Sequence, residues 1–492
     1  MASNNLKILS KWNHIYHQQI TGYLKIPLIG FVILQVISHM VNTHIDYDEG
    51  YNLQVSLLLN LYNVYSTFDT IFDPYITTGP TVLIPSALFI YPKFPLLPRI
   101  VTVVYSFILL FLLYRKLQSD RQKIFFLTML NFVPLFYFFS SHILGEIPSF
   151  TFFILSIIYF QKKRYIVSGI FLAFAFLTKS IIIIGIASII YLILIDYFNN
   201  KNLGKCIHKA LKFILGLSLP LLLWQGYILF SSNFEISTYI SIINNSLLIQ
   251  SQKSSMQFSL YPARFEMILY VFNIHAVIFL LISYVIAISI LIHKKLKNNF
   301  FSSISIFFLV NTSYFILFGA TNWYRHFFLS VLALFILISY LVGKVTVIHM
   351  RNMFILIFLL SHIIFNITSN QLKQIYVKKR IEQNLIFDFE HMLPIFYKDN
   401  MLVAQLDMAR FIENYIEDYN LISGIDWWNA PEISYLTQRR INRDPKSTKV
   451  TYLITHLYGE LLDTKKTNII KNRTDIRILY KTDRYTLYNK VN

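Results

Sequence analysis

The chain has 492 residues, of which 55% are hydrophobic, 17% aromatic and only 14% charged, and its mean hydropathy is +0.51. Soluble domains carry about 25% charged residues, so this composition excludes a soluble globular protein and predicts a large membrane domain with a smaller polar part. The 44 Lys and Arg outweigh the 25 Asp and Glu and give a formal net charge of +19. In a membrane protein such an excess reports topology rather than a nucleic-acid partner. The single cysteine, Cys206, excludes an internal disulfide.

Apolar runs that can cross a bilayer begin after a polar N-terminal segment, residues 1–24. We expect the first run to be an uncleaved helix, because it lacks the short apolar core and small-residue site of a signal peptide. With their ends extended to the roughly 17–25 residues that a bilayer requires, the runs predict about eleven transmembrane helices. They are Ile26–Val41, Ile100–Tyr114, Ile124–Phe139, Phe150–Phe160, Tyr165–Leu177, Ile181–Tyr197, Phe213–Phe230, Met267–Ile292, Phe300–Phe318, Phe327–Leu341 and Met353–Thr368.

Positive charge sets the predicted orientation. Of the 25 Lys and Arg before residue 371, 19 lie on one side, in loops such as 201–212, if the N-terminus is cytoplasmic; the positive-inside rule predicts that arrangement. An odd number of helices then places the C-terminus outside, although the basic run Lys373–Arg380 follows the last helix on that side. Acids contribute little to topology, so those on the outer side are expected to serve a function. Eight of the ten acids before residue 371 fall there: Asp46, Asp48, Glu49, Asp69, Asp73, Glu146, Glu235 and Glu266.

The tail of the chain changes in composition. Residues 371–492 hold 15 of the 25 acids and are predicted to form a small α/β domain on the outer face. Leu402–Asp418 has helical spacing, Val450–Leu457 is typical of a strand, and Ile476–Val491 alternates like a hairpin. The predicted fold is thus a mainly α polytopic membrane protein with an α/β outer domain. Its parts are a cytoplasmic segment (1–24), a transmembrane domain (25–370) with an outer loop (43–98), and the C-terminal domain (371–492).

The first outer loop concentrates acids next to lipid. Asp46, Asp48 and Glu49 lie within four positions directly after the first helix, and acids at the N-terminus of a following helix suit the helix dipole. The apolar spacing of Tyr51–Tyr62 predicts that this helix lies in the membrane interface. A capped, solvated interfacial helix and a functional carboxylate site explain the loop equally well.

Further ionisable residues are predicted at the outward ends of helices. Glu146 is the only acid in the short apolar turn 140–148, where a charge is costly and indicates a function; an acid at a helix terminus is the structural alternative. Lys179 and Arg325 lie at outward turns, and Arg99 begins the helix after the first loop. Such cations can extend to the interface or bind phosphate. Together the residues predict a cavity with carboxylates on one side and cations on the other, as transfer from a lipid phosphate requires.

The order and sidedness of these motifs resemble those of the GT-C glycosyltransferases, polytopic enzymes that use polyprenyl-phosphate sugars. The resemblance is to the family 39 group, which contains aminoarabinose transferase and protein O-mannosyltransferases, and it covers about residues 25–370 and the C-terminal domain. One departure is Thr77-Thr-Gly-Pro80, where aminoarabinose transferases carry a Glu-Lys pair, so a lipid A acceptor is not implied. The motifs are Asp48-Glu49, Asp73-Pro-Tyr-Ile-Thr-Thr-Gly-Pro, Gly145-Glu146-Ile-Pro, Leu177-Thr-Lys179 and Trp323-Tyr-Arg325-His326.

The resemblance implies roles for individual residues. Asp48 would be the base that activates the acceptor, with Glu49 beside it and Glu146 as the second-loop acid. Four residues would hold the donor phosphate: Lys179, Arg325, His326 and Arg99. Four more would contact substrate: Tyr51, Asp73, Tyr75 and Thr78. No cofactor is implied, and the sequence does not support a divalent metal, because no His and Asp cluster has ligand spacing. Structural roles are expected for His44, His142 and Trp427-Trp428.

The sequence therefore predicts a membrane glycosyltransferase that moves a sugar from a polyprenyl-phosphate donor to a lipid, glycan or protein acceptor. The reaction would occur on the outer, periplasmic face of a bacterial plasma membrane, with membrane lipids as further partners and no nucleic acid. The alternative is a transporter or flippase of lipid-linked sugars, which would carry ionisable residues at mid-membrane and show repeated halves. A polymerase or ligase of O-antigen type would place its large outer loop between helices. The acids at outer ends and the polar tail favour the transferase.

Overall fold

The computed structural model describes most of the membrane part and the elements of the C-terminal part. The described residues are 25–40, 44–59, 78–91, 93–131, 134–231, 234–241, 243–244, 281–293, 298–318, 324–344, 401–416, 422–424, 430–437, 441, 451–456 and 476–490.

The membrane part is built from helices, as its apolar composition requires, because a helix satisfies its own backbone hydrogen bonds in lipid. Two short 3₁₀ helices, Leu97–Arg99 and Ser180–Gly185, each directly precede an α-helix. The helices are α1 (Lys25–Met40), α2 (Tyr47–Leu59), α3 (Pro80–Ala87), α4 (Ile100–Lys116), α5 (Asp120–Asn131), α6 (Pro134–Ser141), α7 (Glu146–Gln161), α8 (Tyr165–Thr178), α9 (Ile186–Asn200), α10 (Leu203–Ser231), α11 (Leu281–Ile292), α12 (Asn299–Phe318) and α13 (Tyr324–Val342).

Within the described residues, four helical segments are long and apolar enough to cross a membrane. They are Leu97–Lys116, Ser180–Asn200, Leu203–Phe230 and Asn299–Leu317, and shorter apolar helices pack beside them. The helix α7 lies in the middle of the core, where Phe153 meets Phe307 of α12 with 4.5 Å between ring centroids. On the other side, α8 packs against both α7 and α10. The outer surface of α10 is a row of exposed apolar side chains that suits lipid.

The predicted helices are largely present, with differences at their ends. The predicted Ile124–Phe139 helix corresponds to α5 and α6, and α6 starts at Pro134, in agreement with the preference of proline for a first helical position. The predicted basic loop 201–212 is mostly helical, because α10 begins at Leu203, ten residues before the predicted start at Phe213. Residues 267–280 of one predicted helix and all of Met353–Thr368 lie outside the described residues.

The helix after the first predicted loop differs most from expectation. It begins at Tyr47 rather than after Glu49, so both Asp48 and Glu49 are in its first turn. Every residue from Asp48 to Leu57 is buried, on all sides of the helix. The alternative of a solvated helix is therefore wrong: α2 is enclosed between α3 and an element of the C-terminal part.

The C-terminal part is α/β, as predicted. It contains α14 (Met401–Tyr415), α15 (Pro431–Thr437) and the strands β1 (Ile422–Gly424), β2 (Tyr452–His456), β3 (Ile476–Lys481) and β4 (Tyr485–Lys490). The sheet order is β1-β2-β4-β3, with β1 parallel to β2 and the other pairs antiparallel. The predicted helix, strand and hairpin are thus confirmed within a few residues. One face of the sheet packs on α14 around Met408, Ile412 and Leu487, and α15 lies against α2.

Candidate active site

Three segments that are distant in sequence meet at one end of the membrane part, which we call the site end. They are the first turn of α2, the turn 142–146 before α7, and the turn at Lys179 between α8 and the second 3₁₀ helix. The C-terminal part contacts the same end. The predicted site acids Asp48, Glu49 and Glu146 are all buried there.

Glu49 and Arg99 form a bidentate ion pair. The Nε and Nη2 atoms of Arg99 donate to Oε1 and Oε2 of Glu49 at 2.8 and 2.5 Å, and Nη2 also donates to the carbonyl of His44 at 2.5 Å. Both side chains are at most 3% exposed. The planar fork of arginine fits a carboxylate in this way, so the start of α4 is tied to the first turn of α2.

Residue Ile143 links the second turn to α2. Its amide donates to Oε1 of Glu49 at 3.0 Å, and its carbonyl accepts from Nδ2 of Asn52 at 2.8 Å. Glu49 and Asn52 are three positions apart and therefore neighbours on one face of the helix. Two side chains of α2 thus bind both the amide and the carbonyl of Ile143 in the turn 142–146.

A second link joins Thr78-Gly79 to the end of α8. The amide of Gly79 donates to the carbonyl of Thr178 at 2.9 Å, and Oγ1 of Thr78 accepts from Asn52 at 3.2 Å. A Cβ atom on Gly79 would lie 1.4 Å from the carbonyl oxygen of Leu177. Glycine is therefore required at position 79 by the close approach of two backbones rather than by its dihedral angles.

Glu146 and Lys179 form the second ion pair of the site. Glu146 is in the first turn of α7, where the helix dipole favours a carboxylate, and Lys179 lies in extended backbone directly after α8. The Nζ atom of Lys179 donates to Oε1 of Glu146, and the two side chains are 9% and 2% exposed. Among the described residues, Oε2 of Glu146 is buried and has no hydrogen-bond partner.

Asp48 precedes Glu49 in the first turn of α2. Its side chain is buried, with an exposed fraction of 5% for the residue. Asn52 is four positions further on and therefore lies on the same side of the helix, where it contacts both Ile143 and Thr78. Asp48 is thus at the same end of the fold as Glu146.

The charges are arranged differently from the expected cavity with acids on one side and cations on the other. Arg99 contacts Glu49 and Lys179 contacts Glu146, so two of the four predicted phosphate-binding residues lie against predicted catalytic acids. In a buried site these contacts matter, because an isolated buried charge costs several kcal/mol. Among the described residues, these acids and cations of the site form ion pairs instead of two separate groups of like charge.

The remaining predicted site residues fall into three groups. Tyr51 and Thr78 are buried, with 2% of each residue exposed. Arg325 and His326 are in the first turn of α13, and the orientation of their side chains lies outside what the structure describes. Asp73 and Tyr75 lie outside the described residues.

Of the histidines expected to be structural, His142 is hydrogen-bonded and its ring lies close to that of His44. Nδ1 of His142 lies 2.9 Å from the carbonyl of Phe138, and the rings of His44 and His142 have centroids 5.9 Å apart. Trp427 and Trp428 lie outside the described residues. The described residues contain no group of three or more His, Cys, Asp or Glu that could hold a metal ion.

Sequence reasoning missed Asn52 and Gly79. Asn52 had a visible signal, since it lies four positions after Asp48 in a segment that is apolar on most sides, and a buried amide must be hydrogen-bonded. Gly79 had no such signal, because its role depends on the approach of Leu177, which is 98 positions away.

The comparison with known proteins identifies the fold. No protein-family model and no curated protein matches the chain. Among solved structures, it is similar to ArnT from Cupriavidus metallidurans bound to undecaprenyl phosphate, with a TM-score of 0.58 and 11% identity over 95% of this chain and 98% of that chain. The apo state of that protein matches over the same shares with a TM-score of 0.55 and 11% identity. An oligosaccharyltransferase from Archaeoglobus fulgidus in the apo form matches less well, with a TM-score of 0.47 and 11% identity over 90% of this chain and 71% of that chain.

The chain therefore has the GT-C membrane fold, the fold of the aminoarabinose transferase ArnT. This confirms the predicted fold class, a polytopic helical membrane protein with a small sheet in its C-terminal part.

Proposed function

We propose that the protein is a membrane glycosyltransferase that moves a sugar from a polyprenyl-phosphate donor to a hydroxyl or amine of a lipid, glycan or protein acceptor. The observation that carries the proposal is the buried Glu146–Lys179 pair beside the Asp48–Glu49 segment, at one end of a GT-C fold. ArnT, which has the same fold, was solved bound to undecaprenyl phosphate. A polyprenyl-linked donor is consistent with that likeness and with the lysine at the site.

The chemistry assigns one role to each charged group. Asp48 removes the proton from the acceptor hydroxyl or amine as that atom forms a bond to the anomeric carbon. The bond from the anomeric carbon to the phosphate oxygen breaks, and its electron pair leaves with the polyprenyl phosphate. Lys179 stabilises the departing phosphate, since ammonium binds phosphate as a compact charge. Glu146 holds Lys179 in place and has a second oxygen with which to contact substrate.

Glu49 and Arg99 serve the same reaction by holding the acid segment. Their fork contact fixes α2 against α4, while Glu49 also binds the turn before α7. Asp48 is adjacent to Glu49 in the same helical turn. The contact between Glu49 and Arg99 therefore also limits the orientation of the Asp48 side chain. We propose this positioning role for the pair in addition to the predicted role of Arg99 toward the donor phosphate.

The distribution of charge supports a site on the outer face of a plasma membrane. Helix α4 begins beside Arg99 at the site end and finishes at Lys116, where Nζ lies 3.4 Å from Gln161 at the end of α7. The ion pairs Lys123–Asp120 and Lys209–Asp196 are at the same far ends of their helices. Basic residues mark the cytoplasmic ends of membrane helices, and this pattern supports our proposal that the site is on the opposite face.

Mass spectrometry of envelope lipids, glycans and proteins tests the proposal. Cells that lack the protein are complemented with the wild type, with Asp48→Asn, or with the control Asp196→Asn, whose position is at the far end. We expect one sugar mass to be missing without the protein and with Asp48→Asn, and restored by the wild type and the control. Full restoration by Asp48→Asn, or no change in any sugar mass, would contradict the proposal. A flippase would instead move labelled lipid-linked sugar across vesicles and form no glycosylated product.

A further inference from the structure

The acid segment of α2 is held at its start by a side chain from the C-terminal part. Nε2 of Gln405 donates to the carbonyl of Ile45 at 2.8 Å, and Oε1 of Gln405 accepts from the amide of Ile45 at 3.0 Å. Both residues are fully buried. One amide side chain thus satisfies the complete backbone unit directly before Asp46, as a neighbouring strand would.

The same segment is held five residues later by the backbone of α15. A Cβ atom on Gly50 would lie 2.8 Å from the amide nitrogen of Glu432 and 3.0 Å from the carbonyl carbon of Pro431. Nε2 of Gln54, one turn further on, donates to the carbonyl of Pro431 at 2.6 Å. Helix α15 therefore lies directly on α2, at a distance that only glycine permits.

The two holding points are connected to each other inside the C-terminal part. Nε2 of Gln405 lies 3.4 Å from the hydroxyl of Tyr485, and this hydroxyl donates to Oε1 of Glu432. Gln405 and Glu432 are fully buried and Tyr485 is 1% exposed. A chain of buried polar groups therefore runs from Ile45 to Glu432, whose backbone packs closely on Gly50 of α2. Asp46, Asp48 and Glu49 lie between these two points of contact.

We propose that Gln405, Tyr485 and Glu432 are positioning residues for the acid segment. They act through Ile45 and Gly50 and fix the direction of the Asp48 side chain. The consequence for catalysis rests on the proposed function, in which Asp48 is the base. Because misplacement of a reacting group by about 1 Å can lower a rate by about 10²-fold, small changes in this network affect turnover more than donor binding.

Two substitutions interrupt the network with little change in shape. Tyr485→Phe removes only the hydroxyl that joins Gln405 to Glu432, and Gln405→Met removes the amide while keeping the length of the side chain. Thr437→Val is the matched control, since the buried Thr437 hydroxyl is in α15 and, among the described residues, bonds only to carbonyls of its own helix. The full chain is placed in lipid nanodiscs for two measurements: hydrogen exchange of peptides covering residues 44–57, and transfer kinetics with a polyprenyl-phosphate sugar.

We expect Tyr485→Phe and Gln405→Met to accelerate exchange in residues 44–57 and to leave β2 and β4 as in the control. The kcat should fall roughly 10- to 100-fold, while the KM for the donor changes little. Unchanged exchange and kcat in both variants would overturn the proposal. So would equal acceleration over β2, β4 and residues 44–57, because that result indicates a purely structural role. If the wild type transfers no sugar, the proposed function fails and the exchange measurement alone decides on the positioning role.

Discussion

Glu49 and Arg99 are 50 positions apart in the chain, and their side chains share two parallel hydrogen bonds in a region almost closed to solvent. Each group would be costly without the other, because a lone buried charge is destabilising by several kcal/mol. The pair therefore fixes where the first turn of α2 can lie before any substrate is bound. It also makes the geometry of the guanidinium, and not only its charge, a requirement of the fold.

The fork contact predicts that lysine cannot replace Arg99. Arg99→Lys keeps the charge but loses the second parallel hydrogen bond, and we expect a lower thermal midpoint in detergent. Removing either charge, by Arg99→Met or Glu49→Gln, should destabilise the protein by about 3–5 kcal/mol. In a double-mutant cycle, the combined Arg99→Met and Glu49→Gln variant should recover part of this loss. Strict additivity of the two single effects would contradict a direct pair.

The Glu146–Lys179 pair predicts that the contribution of Lys179 to donor binding can be measured separately from its contribution to stability. Lys179→Met removes the proposed phosphate contact and also leaves a buried carboxylate uncompensated, so both the affinity for undecaprenyl phosphate and the thermal midpoint should fall. Lys179→Met combined with Glu146→Gln removes both charges, and we expect it to recover stability but not binding. Titration of nanodiscs with undecaprenyl phosphate measures the affinity. Wild-type affinity in the double variant would show that Lys179 does not contact the phosphate.

Two glycines between α8 and α10 provide a test of the membrane packing. A Cβ atom on Gly169 would lie 2.1 Å from the carbonyl oxygen of Phe213, and one on Gly216 would lie 2.0 Å from that of Ile166. Either alanine substitution must push the helices apart, and overpacking of this kind costs roughly 1–3 kcal/mol. Gly226→Ala in the same helix α10 is the control, because no described residue lies within 4 Å of its Cβ position. Thermal unfolding should show a lower stability for Gly169→Ala and Gly216→Ala and no loss of stability for Gly226→Ala.

His456 predicts a dependence of stability on pH. Burial, with smaller contributions from the charges of Arg484 and His44, lowers the pKa of His456 to about 3 from its ordinary value of 6.5. Between these two values the unfolded chain binds a proton that the folded chain does not, so the free energy of unfolding falls as the pH falls from 6.5 toward 3. The slope is at most about 1.4 kcal/mol per pH unit. The dependence of stability on pH is followed by measuring the thermal midpoint at a series of pH values between 7 and 4.

Substitution separates this histidine from other titrating groups. His456→Gln removes the imidazole, so its midpoint should depend less on pH than that of the wild type. His208→Gln, at an exposed position of α10, is the control and should retain the wild-type slope. An equal slope in all three proteins would show that His456 does not contribute.

The sequence was sufficient for the elements that depend on local pattern. Apolar runs identified the membrane helices, and alternation identified the β3–β4 hairpin, since both signals arise within a few neighbouring residues. The environment of α2 could not be found in this way. Its polar residues Asn52 and Gln54 resemble a solvated face in sequence, and only their long-range partners Ile143 and Pro431 show that the face is buried.

The same reasoning applies to the site. Acids and cations were identified because a charge near lipid is expensive, but their pairing depends on tertiary contacts between residues 33 and 50 positions apart. The contribution of Gln405 had no local signal at all. The sequence around a buried glutamine in an amphipathic helix does not indicate which distant residue it will bind.

The contact between Ile45 and Gln405 has a consequence for how the protein is made. The two residues are 360 positions apart, and at about 5–20 residues per second the ribosome needs roughly 20 to 70 s to travel from one to the other. During that interval the acid segment is already synthesised while its holding partner is not. A nascent chain that ends before Gln405 would therefore carry every acid and cation of the site in sequence but could not hold the acid segment in its final position, so competence would arise only after Gln405 has been synthesised.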